Sequence, residues 1–176
     1  MRQQTLVGYA QSIATQYVGS EKATYVNAAA TLRIPYWDWA SSPHLPDIVQ
    51  EKTISINTPN GTQTINNPLF TYTFHSISQT DFPPSDGEVA QWLSTVRDPS
   101  DQGVDNVTEI NEGMDNVGYA YYVYQLFSRS VTYDTFSTTA NSGTSLESIH
   151  GAVHNIVGGA NGEMTTLAYA AFDPIL

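Results

Sequence analysis

The stretch TSLESIHGAVHNIVGG constrains the fold most strongly, because it marks both ends of a helix that carries two histidines. Its apolar residues recur at helical spacing and predict a helix over residues 145–157. Thr144 as the N-cap and Glu147 three positions later fit a capping box. The pair Gly158-Gly159 predicts the end of the helix. We therefore expect a well-bounded helix at this point of the chain.

This helix has an apolar stripe and a histidine stripe side by side, since each residue advances about 100° around the helix axis. The apolar stripe comprises Leu146, Ile149, Val153 and Ile156. Glu147, His150 and His154 fall on the neighbouring stripe. We expect the helix to bury Leu146 and Val153 in a core and to direct both histidines into an adjacent cavity.

The i, i+4 spacing of His150 and His154 brings two imidazoles close enough to share one metal ion. Imidazole is a common ligand of zinc, copper, iron and nickel. Two ligands are too few for a tight site, and the other histidines, His44 and His75, lie in loop-like segments. Spacing alone favours the other interpretation, in which both histidines are ordinary polar residues on a half-buried helix and Glu147 serves only as a cap.

Composition excludes several function classes. The 176 residues correspond to about one domain, and a net charge of −11 with only six Lys and Arg disfavours nucleic acid or an anionic membrane surface as a partner. The absence of cysteine excludes disulfides, zinc fingers, iron–sulfur clusters and thiol catalysis within this sequence. No apolar run has the length of a membrane span or the character of a signal peptide, so the localisation stays open.

The remaining periodicities predict a single, mainly α domain. Alternation around Pro59-Asn60-Gly61 predicts a β-hairpin over residues 53–65. The helical spacings predict helices over residues 3–18, 21–32, 88–96 and 112–127.

Three segments in this order carry a resemblance to a known family: RIPYWDWA, SLESIHGAVHNIVGG and NGEM…AAFDPI. Together they closely resemble the central domain of fungal-type tyrosinases, the type-3 dicopper polyphenol oxidases. The resemblance extends over nearly the whole chain. It implies a mainly α fold, part of a four-helix bundle with long loops and a small β-hairpin. It also implies a copper oxidoreductase that oxidises phenols and catechols to o-quinones with O2, the chemistry of melanin formation.

The resemblance assigns roles to individual residues. His150 and His154 match the first two ligands of the family's second copper site, and Glu147 matches a glutamate that orients a water. The segment Arg33–Trp39 resembles a structural aromatic loop without ligands. Gly151 stands where many relatives have Asn, which favours catechol oxidation over phenol hydroxylation.

Glu163 stands where relatives often have His. We expect it to be a solvated loop acid rather than a carboxylate at the copper entrance.

By the same resemblance, residues 1–176 are expected to be a partial domain. It would lack the first copper site and the third ligand of the second, so at most one incomplete copper site remains. We expect a poorly soluble, inactive fragment of an enzyme whose partners are a phenolic small molecule and O2. The alternative is a non-catalytic remnant that acts as a metal-binding or protein-interaction module. The sequence leaves the substrate phenol, the true termini and the oligomeric state open.

Overall fold

The computed structural model describes residues 2–75, 78–81, 83–86, 89–100, 103–130, 132–140 and 142–175. Helices account for about half of the chain, which confirms the mainly α class with a small hairpin. The helices are α1 (Arg2–Ala14), α2 (Gly19–Thr31), α3 (Val107–Val117), α4 (Tyr119–Arg129), α5 (Tyr133–Ser137) and α6 (Leu146–Gly158). The strands are β1 (Thr53–Thr58) and β2 (Gly61–Asn66), which pair antiparallel. Among the described residues, no helix is both long and apolar enough to cross a membrane.

The chain divides into two compact units, the first formed by Met1–Trp37 with Thr53–Asn66. In this unit α1 contacts α2, and the rings of Tyr17 and Tyr25 stack with centroids 3.8 Å apart. The Tyr17 hydroxyl donates a hydrogen bond to the Asn57 carbonyl at 2.6 Å, which joins the helices to the hairpin. The hairpin confirms the sequence prediction, with Pro59 and Asn60 between the strands.

The second unit comprises Asp38–Lys52 and Asn67–Leu176. Here α6 contacts α3, α4 and α5. The buried face of α6 carries Ile149, Val153 and Val157, and Val157 is wholly inaccessible. Leu146 has the right angular position but is 46% exposed, so its predicted burial is wrong. It is the first residue of the helix.

Two further predictions about helices need correction. The single helix expected over residues 112–127 is two helices, because Gly118 adopts φ 71° and ψ 48° between α3 and α4. This left-handed conformation favours glycine and ends α3. The helix expected over residues 88–96 is only a 3₁₀ turn at Val89–Gln91, followed by a β-bridge between Ser94 and Thr73. Position 88 itself lies outside the described residues.

A buried arginine joins the loops of the second unit. Arg97 is 1% exposed, and its guanidinium donates to the Asp173 carboxylate from Nε at 3.0 Å and from Nη2 at 2.9 Å. It also donates to the carbonyls of Val49 at 2.9 Å and Leu69 at 3.1 Å. The guanidinium is thus paired and hydrogen-bonded, as a buried charge requires. It connects the AAFDPI segment to loops distant in sequence.

Candidate metal centre

The two histidines of α6 converge on each other. Their Nε2 atoms are 2.9 Å apart, and their ring centroids are 4.4 Å apart at an interplanar angle of 73°. His154 is 6% exposed, whereas His150 is exposed at the surface. The structure therefore brings together the pair that the sequence singled out, with one buried and one accessible ring.

The orientation of His154 follows from a backbone contact. Its Nδ1 lies 2.9 Å from the Met164 carbonyl oxygen. A carbonyl can only accept, so Nδ1 carries the hydrogen and donates it. In the neutral ring Nε2 then holds the lone pair, the state of a metal-binding imidazole with an outer-shell partner. Sequence reasoning missed Met164, since a backbone carbonyl leaves no signal in residue type.

Gly158 allows the Met164 carbonyl to approach His154. Met164 belongs to a short 3₁₀ turn, Glu163–Thr165, which packs on the last turn of α6 at Gly158. A Cβ at Gly158 would overlap the backbone nitrogen and the hydroxyl of Thr165. The Thr165 hydroxyl also donates to the Gly159 carbonyl at 2.7 Å. A side chain at position 158 would therefore push the Met164 carbonyl away from the histidine.

His150 has a different environment. Burial and the neighbouring His154 lower the pKa of its imidazole, and the nearby Glu147 carboxylate opposes this change. The lowered pKa favours the neutral ring, which is the form that binds metals. The Trp39 indole stacks on this ring at 6.1 Å between centroids and 12° between planes.

The aromatic loop Arg33–Trp39 brings one residue to the histidine helix. Trp39 contacts His150, and its ring also lies 6.2 Å from that of Tyr119. Tyr36, in contrast, is 85% exposed, so the segment does not pack along its whole length. Sequence reasoning missed the contact between Trp39 and His150, because no local pattern links residues so far apart.

The N-terminus of α6 is capped one residue later than the sequence predicted. Ser145, not Thr144, is the N-cap, with extended backbone at φ −129° and ψ 165°. Its hydroxyl accepts from the Ser148 amide at 3.1 Å, and the Ser148 hydroxyl accepts from the Ser145 amide at 2.9 Å. The serine pair satisfies both amides, so Glu147 is released from the predicted capping role.

Glu147 is exposed and lies close enough to His150 to influence its pKa. Its Oε2 accepts from the Thr139 amide at 3.1 Å and from the Thr139 hydroxyl at 3.4 Å. Within the described residues, both of its hydrogen bonds use this one oxygen. The second carboxylate oxygen can still accept a hydrogen bond.

Glu163 contradicts the expectation of a solvated loop acid. It is 1% exposed, and its Oε2 accepts from the Val96 amide at 2.8 Å. Oε1 is buried and finds no partner among the described residues. Burial raises the pKa of this carboxyl to about 7, with Asp173 and Asp105 acting in the same direction. A single position in a loop gives no sequence signal of such burial.

The remaining histidines stay apart from this pair. His44 places Nε2 at 2.8 Å from Oδ2 of Asp115 in an exposed pair, and His75 lies edge-on to Tyr72. Over the described ranges, no cluster of three or more His, Cys, Asp or Glu could hold a metal ion. His150 and His154 thus form a two-ligand arrangement within the described part of the chain.

The donor geometry fits a shared ion. Two imidazole nitrogens can each lie about 2.0–2.1 Å from one ion. They are then roughly 2.8–3.4 Å apart, depending on whether the nitrogen–ion–nitrogen angle is a right angle or tetrahedral. The observed separation of 2.9 Å between the Nε2 atoms falls in this range. Copper(II) binds nitrogen donors more tightly than the other divalent first-row ions do. The residues therefore fit copper as two of its ligands.

The chain matches one known protein family over nearly its whole length. The family described as the common central domain of tyrosinase matches residues 6–176. Polyphenol oxidase 3 of Agaricus bisporus is 30% identical over 194 aligned residues, which cover 98% of this chain and 33% of that protein. A tyrosinase of Neurospora crassa is 33% identical, covering 98% of this chain and 28% of that protein.

A solved structure of mushroom tyrosinase superposes with a TM-score of 0.79 at 28% sequence identity. The superposition covers 97% of this chain and 46% of the mushroom chain. The chain thus spans about a third of the length of the curated relatives that it matches.

Proposed function

Because the chain belongs to the tyrosinase family, we propose that His150 and His154 are two ligands of one copper ion in an oxidoreductase of the tyrosinase and polyphenol oxidase type. The observation that carries this proposal is the convergence of their Nε2 atoms at 2.9 Å. The hydrogen bond from Nδ1 of His154 to the Met164 carbonyl supports it, because that bond leaves the converging nitrogen with its lone pair.

Copper, when bound, would supply the redox chemistry by which O2 oxidises phenols or catechols. The protein groups then have separate tasks. His154 holds a fixed, buried ligand position, and the lowered pKa of His150 keeps the accessible ring neutral. Glu147 would orient a water through Oε1, since Thr139 occupies only Oε2.

For the substrate, we propose a catechol that is oxidised to an o-quinone rather than a phenol that is hydroxylated. Gly151 follows the first histidine and offers no side chain to act with Glu147 on a water. Apart from its own helix, no described residue places an atom within 4 Å of the position that a Cβ would take there, so this side of the helix is open. Catechol oxidation depends less on that positioned water.

Residues 1–176 by themselves would bind copper incompletely and would not turn over substrate. Two imidazoles cannot build the coupled two-copper centre that the family uses. Ligand clusters of three or more are absent from the described part of the chain. Activity would therefore depend on ligands that these residues do not provide.

A second candidate is a non-catalytic module that binds a metal or another protein. The aromatic surface of α4 favours it. Tyr121 is 60% exposed, Tyr124 is 70% exposed and Phe127 is 73% exposed. Their i, i+3 spacing places them near one another on α4, and exposed apolar patches are typical of contact sites.

Copper(II) titration by calorimetry tests the ligand assignment. We expect unmodified 1–176 to bind about one copper, and His150→Ala or His154→Ala to lower the affinity about tenfold or more. His44→Ala is the matched control, because its ring pairs with Asp115 instead. Equal affinities in all four proteins would refute the copper role of the pair.

The activity proposal needs a separate assay. Oxygen consumption with a catechol is measured for the copper-loaded chain and for His150→Ala. We expect the copper-loaded chain to consume oxygen no faster than His150→Ala does. A clear catechol oxidase rate from the unmodified chain would contradict the proposed incompleteness.

A further inference from the structure

We propose that Trp39 is a positioning residue for His150, whose imidazole it holds by stacking so that Nε2 stays directed at His154. This inference rests on the proposed function, since it assumes that His150 is a metal ligand. It goes further by naming what orients the exposed member of the pair. The geometry that points to it is the near-parallel contact of the indole and imidazole rings, 12° between planes.

The two histidines are held differently. His154 donates its Nδ1 hydrogen to the Met164 carbonyl, the usual way in which an outer-shell group orients a metal-binding histidine. For the His150 ring, the only hydrogen bond within the described residues is the one that its Nε2 donates to Nε2 of His154, whose own hydrogen is on Nδ1. No described group therefore forms a hydrogen bond with Nδ1, the other nitrogen of this ring. Besides His154, the described ring contact of this imidazole is the stacked indole of Trp39.

Stacking suits this task chemically. The lone pair of an imidazole nitrogen lies in the plane of the ring, while the indole plane stacks offset and nearly parallel to it. Trp39 can therefore restrict rotation of His150 without occupying either nitrogen. Restricting an exposed side chain before a metal binds removes part of the ordering cost of binding.

Trp39 itself is held in place. Asp38 begins a turn in which its carboxylate Oδ1 accepts from the amides of Ala40 and Ser41, both at 3.1 Å. The indole also lies against Tyr119, which is 2% exposed and whose hydroxyl donates to the Met114 sulfur at 3.5 Å. Trp39 thus lies between a buried tyrosine ring and the exposed ring of His150.

The test measures copper(II) affinity by calorimetry on residues 1–176 and variants. Trp39→Leu, which keeps apolar bulk but loses the aromatic face, is expected to bind copper about tenfold more weakly. Trp39→Phe retains an aromatic ring and is expected to restore most of the affinity. Phe127→Leu is the matched control, because its ring contacts Phe136 and neither histidine.

A double-mutant cycle separates positioning from a general structural effect. If Trp39 acts through His150, Trp39→Leu has no further effect on affinity in a His150→Ala background. If the two substitutions together lower the copper affinity by the product of their separate effects, the proposal is wrong. If His150→Ala leaves the affinity unchanged, the copper proposal fails instead, so the two failures are distinguishable.

A measurement on the unmodified chain keeps the proposal testable if Trp39→Leu does not fold. In the zinc-loaded protein, nuclear Overhauser contacts are measured between the indole protons of Trp39 and the ring protons of His150. We expect such contacts together with a single orientation of the imidazole. Their absence, or free rotation of the His150 ring, would refute the positioning role.

Discussion

The Met164 carbonyl oxygen accepts a hydrogen bond from Nδ1 of His154 at 2.9 Å, and this single bond sets which nitrogen of the buried histidine faces its partner. The bond depends on the close packing of the Glu163–Thr165 turn on Gly158. A change at Gly158, one helical turn after His154, can therefore alter the candidate metal centre.

Gly158→Ala tests this dependence. The added methyl group would meet the Thr165 backbone, which cannot move aside like a flexible side chain. We expect a loss of about 1–3 kcal/mol in the free energy of unfolding, measured by urea denaturation. Gly151→Ala is the control within the same helix, since its Cβ would meet open space, and it should stabilise by about 0.5–1 kcal/mol. Equal effects of the two substitutions would contradict the close-packing argument.

Ser145→Ala tests the position of the helix cap. Removal of the hydroxyl leaves the Ser148 amide without its acceptor, and the expected cost is about 1 kcal/mol in the free energy of unfolding. Thr144→Ala is the control and should change stability by less than about 0.5 kcal/mol. If Thr144→Ala proved the more costly substitution, the capping box would lie where the sequence alone suggested.

Glu163→Gln tests the buried carboxyl through pH. Its pKa rises from 4.5 to about 7 in the folded protein, so folding favours the protonated acid. The stability that this group contributes is fully present below pH 4.5 and is lost as the pH rises through about 7. Because Gln stays neutral, we expect the variant to gain stability relative to the unmodified chain across this interval, by about 3 kcal/mol. Urea unfolding at several pH values measures the difference.

Glu112→Gln provides the control for this experiment, because Glu112 is exposed. At this exposed position the substitution should change the free energy of unfolding by less than about 0.5 kcal/mol. A difference between Glu163→Gln and the unmodified chain that stays constant from pH 4 to about 8 would show that Glu163 does not titrate as its burial implies.

Arg97→Met tests the buried ion pair. The substitution leaves the carboxylate of Asp173 buried without its partner, and the carbonyls of Val49 and Leu69 lose their donor. We expect a loss of about 3–5 kcal/mol in the free energy of unfolding. Arg129→Met, at an exposed position, should cost less than about 0.5 kcal/mol. A loss below about 1 kcal/mol at position 97 would mean that other contacts hold the loops together.

The local features of the chain were predictable because they depend on neighbours in sequence. The i, i+4 spacing put His150 and His154 on one helix face, and the paired glycines marked its end. Alternation around the Pro59-Asn60 turn predicted the hairpin. One error arose where a single residue overrode a periodic pattern. Gly118 adopts a left-handed conformation and splits one predicted helix into two.

The sequence by itself determined the histidine pair, its helix and the likeness of nearly the whole chain to one family. Only the tertiary structure decided how the pair is held. The Met164 carbonyl on His154, the Trp39 ring on His150 and the burial of Glu163 each require segments that are separated along the chain to meet. Such contacts arise from close packing rather than from local periodicity, so residue type and spacing do not encode them in a readable way.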